Sequence, residues 1–331
     1  FLALVFGVGF ATNFFTGIQA YTITEGVTSV FNIDMITFGT IYSIVVLIIV
    51  LGGGKSVTRF AGKVVPAMIM LFCLGALGII VINIKSLPSA IGLVFTSAFS
   101  GTAAIGGFAG AAFSKAIQFG VSRAVFSNEA GQGSSPMIHS QTPVEHPIRQ
   151  GIWGIFEVFV DTIIVCTMSA LAIILSGQWN SGLEGAALSI SAFSSTYGKL
   201  GGQLVAISVL LFGITTQTGW FTYYDVLLRH AFKNNVKLKN NIIKFFRLVY
   251  PLPGLLTIVY STYYGVPTGT VWLIADFFMA VPTTLNIICV VFLSGIYFKL
   301  MKDYKARYLG IGEIDPDFKL FYEDKISNLS K

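Results

Sequence analysis

Long apolar runs separated by short polar segments dominate the chain. A helix needs about 20 mostly apolar residues to cross the hydrocarbon core of a bilayer. Seven runs of about that length stand out: Leu2–Phe31, Ile36–Gly52, Val64–Ile84, Gly151–Leu175, Gln203–Leu228, Leu248–Tyr264 and Val271–Leu300. Together with a further apolar region between residues 87 and 126, they predict an all-α polytopic membrane protein with about eight spans.

The apolar region from Leu87 to Phe126 is too long for one helix, and its middle, Ser100–Gly107, consists mostly of Gly, Ala and hydroxyl residues. We interpret it as one interrupted span, with a half-helix before the break and a longer, more polar helix after it. Unwound backbone in lipid persists only where it lines a cavity or a ligand. A continuous Gly- and Ala-rich packing face is the alternative. The expected break lies between Phe99 and Phe108.

Basic residues are concentrated in alternate connecting segments. If Lys55–Lys63, Lys115–Arg149 and Arg229–Arg247 are cytoplasmic loops, and the tail from Lys299 onward lies on the same side, all but two of the 21 Lys and Arg residues are cytoplasmic. The positive-inside rule requires such a distribution. We therefore expect a multi-pass protein of the inner cell membrane, with a transmembrane domain over residues 1–307 and a cytoplasmic C-terminal tail over residues 308–331. Gly185–Thr196 is predicted to form a short helix on the outer surface.

The composition excludes an ordinary soluble domain. Hydrophobic residues make up 54% of the chain and charged residues 11%, whereas soluble domains carry about 25% charged residues. The net charge of +6 does not predict nucleic-acid binding, because the basic residues are explained by membrane orientation. The three cysteines are far apart in apolar runs, so neither a disulfide framework nor a metal site is expected. Phe1 already lies in an apolar run, so the chain is expected to begin inside or just before a membrane helix.

Two predicted spans contain clusters of polar residues. In the first, the polar positions follow helical spacing and share one face, which is expected to point into the bundle; they are Thr12, Thr16, Gln19 and Thr22. The sixth span contains Thr215–Thr218, followed by Trp220. Hydroxyl and carbonyl oxygens suit an alkali cation. Both clusters either line a permeation path or supply hydrogen bonds between helices.

Ionisable residues inside membrane spans cost free energy, so each is first considered a candidate functional residue. Asp161 lies in the fifth span, where it is either a proton relay or a hydrogen-bond acceptor that locks the bundle. The second reading is favoured, because no Lys or Arg shares its span. Asp276 lies near the outer end of the eighth span, before a kink expected at Pro282. His139 and His146 lie in a polar segment and are not expected to bind a metal.

Several longer motifs resemble those of one family. The most diagnostic is Phe126–Ser134, which reads FSNEAGQGS. The other matching segments are Gln19-Ala20, Gly106–Ala112, His146–Gly151, Val160–Thr162, Val165–Thr167, Thr215-Thr216 and Gly219-Trp220. In this order they resemble the sodium:alanine (alanine or glycine:cation) symporter family, over essentially residues 1–308.

The resemblance implies a leucine-transporter-type fold of two inverted five-helix repeats. The spans here would be its third to tenth core helices, and the interrupted span its sixth. The first core helix, which carries much of the amino-acid and sodium site, would precede Phe1. The implied function is symport of a small neutral amino acid, alanine or glycine, with sodium by alternating access, and not an enzymatic activity.

The resemblance also implies roles for individual residues. The substrate-binding residues would be Gln19, Thr102, Gly106, Gly107, Phe108, Thr216 and Trp220, with Trp220 limiting side-chain size. Thr215 and Thr216 would bind the cation, whereas Ser127, Asn128, Glu129 and Asp161 would have gating or structural roles. Family members often have Asn-Ser where this chain has Tyr21-Thr22, which bears on selectivity.

Other functions remain open at this point. A carrier of the same fold coupled to protons, or one for another small solute, is the main alternative. A membrane-embedded enzyme is disfavoured by the lack of a histidine in mid-span, and a passive channel by the asymmetry of the chain. The expected partners are a small-molecule amino acid and the lipid bilayer, with no nucleic acid and no obligate protein partner.

Overall fold

A computed structural model describes residues 2–99, 108–129 and 131–320. Every regular element in these three segments is helical. The α-helices are α1 (Leu2–Ala11), α2 (Ile18–Phe31), α3 (Met35–Leu51), α4 (Gly54–Ile82), α5 (Leu87–Phe99), α6 (Phe108–Asn128), α7 (Ser135–His139), α8 (Pro147–Val158), α9 (Cys166–Leu175), α10 (Gly185–Tyr197), α11 (Lys199–Ala231), α12 (Val236–Val249), α13 (Leu252–Tyr264) and α14 (Thr268–Leu309).

Within the described segments, five helical stretches are long and apolar enough to cross a membrane. They are Gly54–Ile82, Pro147–Leu175, Lys199–Ala231, Val236–Tyr264 and Thr268–Leu309. Helix α3 is also apolar but has only 17 residues. Large apolar side chains such as Ile155 and Phe156 are 72% and 56% exposed, as expected for a surface that faces lipid. The chain is therefore a polytopic membrane protein; the number of eight spans stays a prediction.

Local capping fixes several helix ends. The Asp34 carboxylate accepts the backbone N–H of Thr37 at 2.8 Å and begins α3. Asn235 caps α12 in the same way through the N–H of Leu238, at 2.9 Å. Gly310 ends α14 with a φ of +67°, a conformation that glycine adopts at little cost. These signals are local and can be read from the sequence.

The predicted loops are wrong in extent. Helix α4 begins at Gly54, so Lys55–Lys63 is helical, and α6 and α7 occupy most of residues 115–139. Helix α14 continues to Leu309. Its 42 residues would measure about 60 Å, roughly twice the hydrocarbon thickness. Hydropathy detects only the part of a helix that lies in lipid, whereas these helices extend beyond it.

The first apolar run is broken, which corrects the prediction of one continuous span. Helix α1 ends at Ala11, a 3₁₀ turn covers Thr12–Phe15, and Gly17 adopts a left-handed φ of +58° before α2 begins. A Cβ at Gly17 would lie 2.4 Å from Oγ1 of Thr257 and 2.9 Å from the carbonyl oxygen of Pro253. The close approach of α13 therefore requires glycine here.

The break predicted near residues 100–107 lies outside the described residues. Helix α5 ends at Phe99 and α6 begins at Phe108 on either side of it.

A second irregularity lies between α8 and α9, where Phe159–Val165 forms a π-helical turn that carries Asp161. Such turns are frequent at functional sites.

Helix α11 lies at the centre of the bundle, packed against α2, α4 and α10. An aromatic cluster joins α11 to α1 and α12. The stacked rings of Phe10 and Trp220 have centroids 5.3 Å apart, and those of Phe221 and Phe246 are 5.8 Å apart. The predicted short helix is confirmed as α10. It is less superficial than expected, since Phe193 is only 1% exposed and packs against Phe72 of α4.

Candidate functional site

A pocket of about 210 Å³ opens between α2, α6, α11 and α14. It contains two residues predicted to bind substrate, Gln19 on α2 and Thr216 on α11. Its other lining residues are Ile18, Thr22, Ile23, Phe126, Val209, Phe212, Gly213 and Trp272. We call it the Gln19–Thr216 pocket. A few polar groups set in an apolar wall are typical of small-molecule sites.

An aromatic pair forms one wall of this pocket. The rings of Phe126 and Trp272 meet edge to face with centroids 5.1 Å apart. The guanidinium of Arg123 lies over the Trp272 ring at 4.6 Å, and its Nη2 is bonded to both carboxylate oxygens of Asp276. An ion pair between α6 and α14 therefore lies behind the wall of the pocket.

Sequence reasoning missed this ion pair. The apolar pattern predicts a helix only up to Phe126, and the charge pattern counts Arg123 among the cytoplasmic basic residues, whereas α6 continues to Asn128. The sequence predicts no partner for Asp276. A carboxylate inside an apolar helix signals that a counter-charge must lie on a neighbouring helix. The sequence does not indicate which helix supplies it.

A second, smaller cavity of about 30 Å³ lies beside the break in the first run. Its polar lining comes from Asn13, Thr16, Gln19 and Gln217. Its remaining wall consists of Phe14, Gly17, Trp220, Tyr224, Tyr250, Pro253, Gly254 and Met279. We call it the break cavity. Gln19 lines both spaces.

Trp220 lines the break cavity and is absent from the lining of the larger pocket. It is 7% exposed, and its ring stacks on Phe10 with an interplanar angle of 8°. The structure thus brings Gln19 and Thr216 together in one pocket and places Trp220 with Gln19 in the other. Its role in selecting substrate size stays a prediction.

Gln217 is a buried polar residue whose individual importance the sequence did not reveal. Its Oε1 accepts a hydrogen bond from the Tyr42 hydroxyl at 2.6 Å, and its backbone carbonyl accepts one from the Tyr250 hydroxyl at 2.5 Å. These bonds fix α11 to α3 and to the junction of α12 and α13. The polar run Thr215–Thr218 was the available signal.

The adjacent threonines face different surroundings. Thr216 lines the Gln19–Thr216 pocket. The Thr215 hydroxyl donates to the carbonyls of Leu211 and Phe212 in its own helix, at 3.0 and 2.8 Å, and lies 3.6 Å from Met68 Sδ on α4. Their shared role as cation ligands stays a prediction.

The residues predicted to have gating or structural roles lie where α6 meets the π-helical turn. Ser127 donates to Oδ2 of Asp161 at 2.5 Å, and Asn128 donates to Thr162 at 3.1 Å. Glu129, with a left-handed φ of +54°, accepts hydrogen bonds from Ser134 and from the Tyr223 hydroxyl, the latter at 3.0 Å. The end of α6 is thereby bonded to two other parts of the bundle.

Three of the other predicted substrate residues, Thr102, Gly106 and Gly107, lie outside the described residues, and Phe108 is described only as the first residue of α6. No group of three or more His, Cys, Asp or Glu side chains that could hold a metal is found in the described segments.

Known proteins similar to this chain identify the family to which it belongs. The profile of the sodium:alanine symporter family matches residues 1–318. An uncharacterized transporter of Haemophilus influenzae is 36% identical over 96% of this chain and 63% of its own length. The sodium/alanine symporter AgcS of Methanococcus maripaludis is 31% identical over 84% of this chain and 59% of its own.

A further relative, the probable sodium/glutamine symporter GlnT of Bacillus subtilis, is 32% identical over 95% of this chain and 62% of its own length. The chain thus spans less than two thirds of the length of these relatives. The match nevertheless covers almost all of the chain, including the residues of both cavities, and the family consists of transporters and not of enzymes. The chain therefore belongs to the sodium:alanine symporter family.

Proposed function

We propose that this chain takes part in the symport of a small neutral amino acid, alanine or glycine, with sodium by alternating access. The observation that carries the proposal is that Gln19 and Thr216, on separate helices, share a pocket of about 210 Å³ among membrane helices. The names of relatives as sodium/alanine and sodium/glutamine symporters support the substrate class and the coupling ion.

The lining of the pocket fits a short zwitterion. The amide of Gln19 and the hydroxyl of Thr216 belong to residues that line the pocket and are a donor and an acceptor for its charged end. The apolar wall, closed by Phe126 and Trp272, suits a small side chain. A liquid water molecule occupies about 30 Å³, so a pocket of about 210 Å³ has room for the few non-hydrogen atoms of a small amino acid.

The remaining parts of the proposal follow the family resemblance. The helices form a leucine-transporter-type bundle in which the chain supplies the third to tenth core helices. Thr215 and Thr216 contribute oxygen ligands to sodium, and the C-terminus lies in the cytoplasm of a cell whose inner membrane holds the protein. Coupling to protons is the alternative, and one relative is named a putative sodium/proton-dependent alanine carrier protein.

Uptake of labelled alanine into proteoliposomes tests the proposal on the whole protein. We expect uptake with an inward sodium gradient and little uptake with choline at equal ionic strength. A Thr216→Val variant should lose most of it, whereas Thr40→Val, at an exposed threonine of α3, should not. Uptake driven equally well by a proton gradient without sodium would favour the alternative. Absence of uptake for every small amino acid would overturn the proposal.

A further inference from the structure

Helices α2 and α14 are joined by a chain of three side chains beside the Gln19–Thr216 pocket. The Thr268 hydroxyl donates a hydrogen bond to Oε1 of Glu25. The Tyr21 hydroxyl lies 3.2 Å from Oγ1 of Thr268. Because the single hydroxyl proton of Thr268 is given to Glu25, Tyr21 is the donor in this second bond. The hydrogen bonds therefore run from Tyr21 through Thr268 to Glu25, and we call these three residues the α2–α14 latch.

The latch lies one helical turn from the pocket on both helices. On α2, Glu25 follows the lining residue Thr22 by three positions. On α14, Thr268 precedes the lining residue Trp272 by four positions. Residues three or four apart are neighbours on the surface of a helix. Tyr21 is 5% exposed and is absent from the linings of the pocket and of the break cavity. The latch therefore bridges the two helices at one end of the pocket, apart from the residues expected to bind substrate.

The start of α10 packs over the same point. A Cβ at Gly185 would lie 3.8 Å from Oε2 of Glu25 and 3.8 Å from Cγ2 of Thr268. A Cβ at Gly26 would lie 2.9 Å from the Cβ of Ala186. Helices α2, α10 and α14 thus meet at the latch. Since α10 is the helix predicted at the outer surface, this is the outer end of the pocket in the orientation proposed above.

Forces that close and forces that open act together at the latch. The two hydrogen bonds favour contact between α2 and α14. Oε2 of Glu25, by contrast, is buried without a hydrogen-bond partner among the described residues, and the carboxylate of Glu184 repels that of Glu25. A buried oxygen that lacks a partner costs free energy, and water would satisfy it if the helices separated. The closed arrangement is therefore favoured only modestly, as a gate requires.

We propose that the α2–α14 latch is the outer gate of the pocket, and that Tyr21, Glu25 and Thr268 are positioning residues that close it without touching the substrate. The inference rests on the proposed function, because alternating access requires the pocket to open to one side at a time. Removal of the latch bonds lowers the stability of the closed form alone, so it shifts molecules towards the form that is open to the outside.

The position of the gate is measured by the rate at which a membrane-impermeant thiol reagent reaches the pocket in intact cells. The reporter is Val209→Cys in the whole protein with its native cysteines replaced by alanine. Val209 lines the pocket, and its Cγ1 lies 3.6 Å from a Cβ placed at Gly26. We expect slow labelling without further changes. Thr268→Val removes both bonds and should speed labelling at least about tenfold, whereas Tyr21→Phe removes one and should speed it about fivefold.

Two matched variants separate the latch from a general loosening of the bundle. Thr270→Val makes the same change at an exposed threonine two residues further along α14 and should leave the labelling rate unchanged. Thr268→Ser keeps the hydroxyl and should also label at the original rate. Rates are compared per folded molecule after size-exclusion chromatography, so that a lower folded yield does not affect the comparison.

Three results would overturn the inference. They are an unchanged labelling rate in folded Thr268→Val, equal acceleration in Thr270→Val, and acceleration in Thr268→Ser that matches Thr268→Val. Acceleration only with the reagent on the cytoplasmic side would also overturn an outer gate. Labelling does not depend on transport, so the two proposals fail separately. Unchanged labelling with normal sodium-driven alanine uptake would overturn this inference alone, whereas absence of uptake in the unaltered protein would overturn the proposed function.

Discussion

Arg123 of α6 and Asp276 of α14 form an ion pair in which one guanidinium nitrogen, Nη2, donates to both carboxylate oxygens. The pair is partly buried, with side-chain exposures of 37% and 30%. It packs on Trp272, which lines the Gln19–Thr216 pocket. The pair therefore holds the N-terminal part of α14 against α6 and supports the pocket wall from behind.

This contact should be measurable as a coupling energy. In a double-mutant cycle with Arg123→Met and Asp276→Leu, we expect about 1 kcal/mol of coupling in the free energy of unfolding, the upper end for a pair with this exposure. The control is Arg149 with Glu145, which are 49% and 74% exposed and should couple by less than about 0.5 kcal/mol. Equal coupling in the two pairs would contradict a supporting role for Asp276.

Substrate size should depend on the wall of the larger pocket. Trp272→Leu removes part of an aromatic side chain that lines it, so larger amino acids such as leucine or methionine should compete better with alanine uptake. An apolar pocket discriminates by at most about 200-fold, so the effect should be graded.

Trp220→Leu provides the comparison for this measurement. The sequence assigned size selection to Trp220, whereas the structure places it on the break cavity and against Phe10. We expect Trp220→Leu to reduce folded yield, since the loss of a buried aromatic side chain costs about 3 kcal/mol. The ranking of competitors, measured per folded molecule, should move more with Trp272→Leu. The reverse result would restore Trp220 as the size-limiting residue.

The close packing at the break predicts a stability difference between two glycines. Gly17→Ala introduces a Cβ at a φ of +58° and into contact with Thr257 and Pro253. Gly177 has a φ of +73° but open space around it, so Gly177→Ala carries only the backbone cost of about 1–2 kcal/mol. Gly17→Ala should be more destabilising by a further 1–3 kcal/mol, roughly the cost of overpacking. If chemical denaturation shows that both variants lose the same free energy of unfolding, α13 must move at the break to accommodate the new Cβ.

His146 should make stability depend on pH. It is fully buried, its Nδ1 accepts the N–H of Ile148 at 3.1 Å, and its Nε2 lies 3.3 Å from Oδ2 of Asp303. Burial lowers the pKa of His146, with Arg307 and Arg149 acting in the same direction and Asp303 against it. The neutral ring is therefore the form that the folded protein favours.

Because the folded-state pKa of His146 is lowered, the protein should become less stable as the pH falls. The stability that neutral His146 contributes is present above the unfolded-state pKa, about 6.5, and is lost as pH falls towards the folded-state pKa. We expect the free energy of unfolding to drop by up to about 1.4 kcal/mol per pH unit below that point. His146→Gln, which cannot titrate, should remove this part of the slope. An identical pH profile in the variant would show that other groups dominate.

Several features of this protein were available from its sequence. An apolar run of some 20 residues has few alternatives to a membrane helix, because its backbone groups must be satisfied internally in lipid. This reasoning located the helical stretches confirmed at residues 54–82, 147–175 and 199–231. The motif at Phe126–Ser134 and its companions indicated the family, and Gln19 and Thr216, predicted from it, share one pocket.

The tertiary structure alone decided how the polar residues are used. Helical periodicity placed Thr12 and Gln19 on one face, but this assumes a continuous helix, and the packing of Gly17 on Thr257 breaks it. The partners of Asp276 and Gln217 lie on helices far away in sequence. Hydropathy reports how favourable a residue is in lipid, not which neighbour it meets, so these pairings emerge only when the bundle packs.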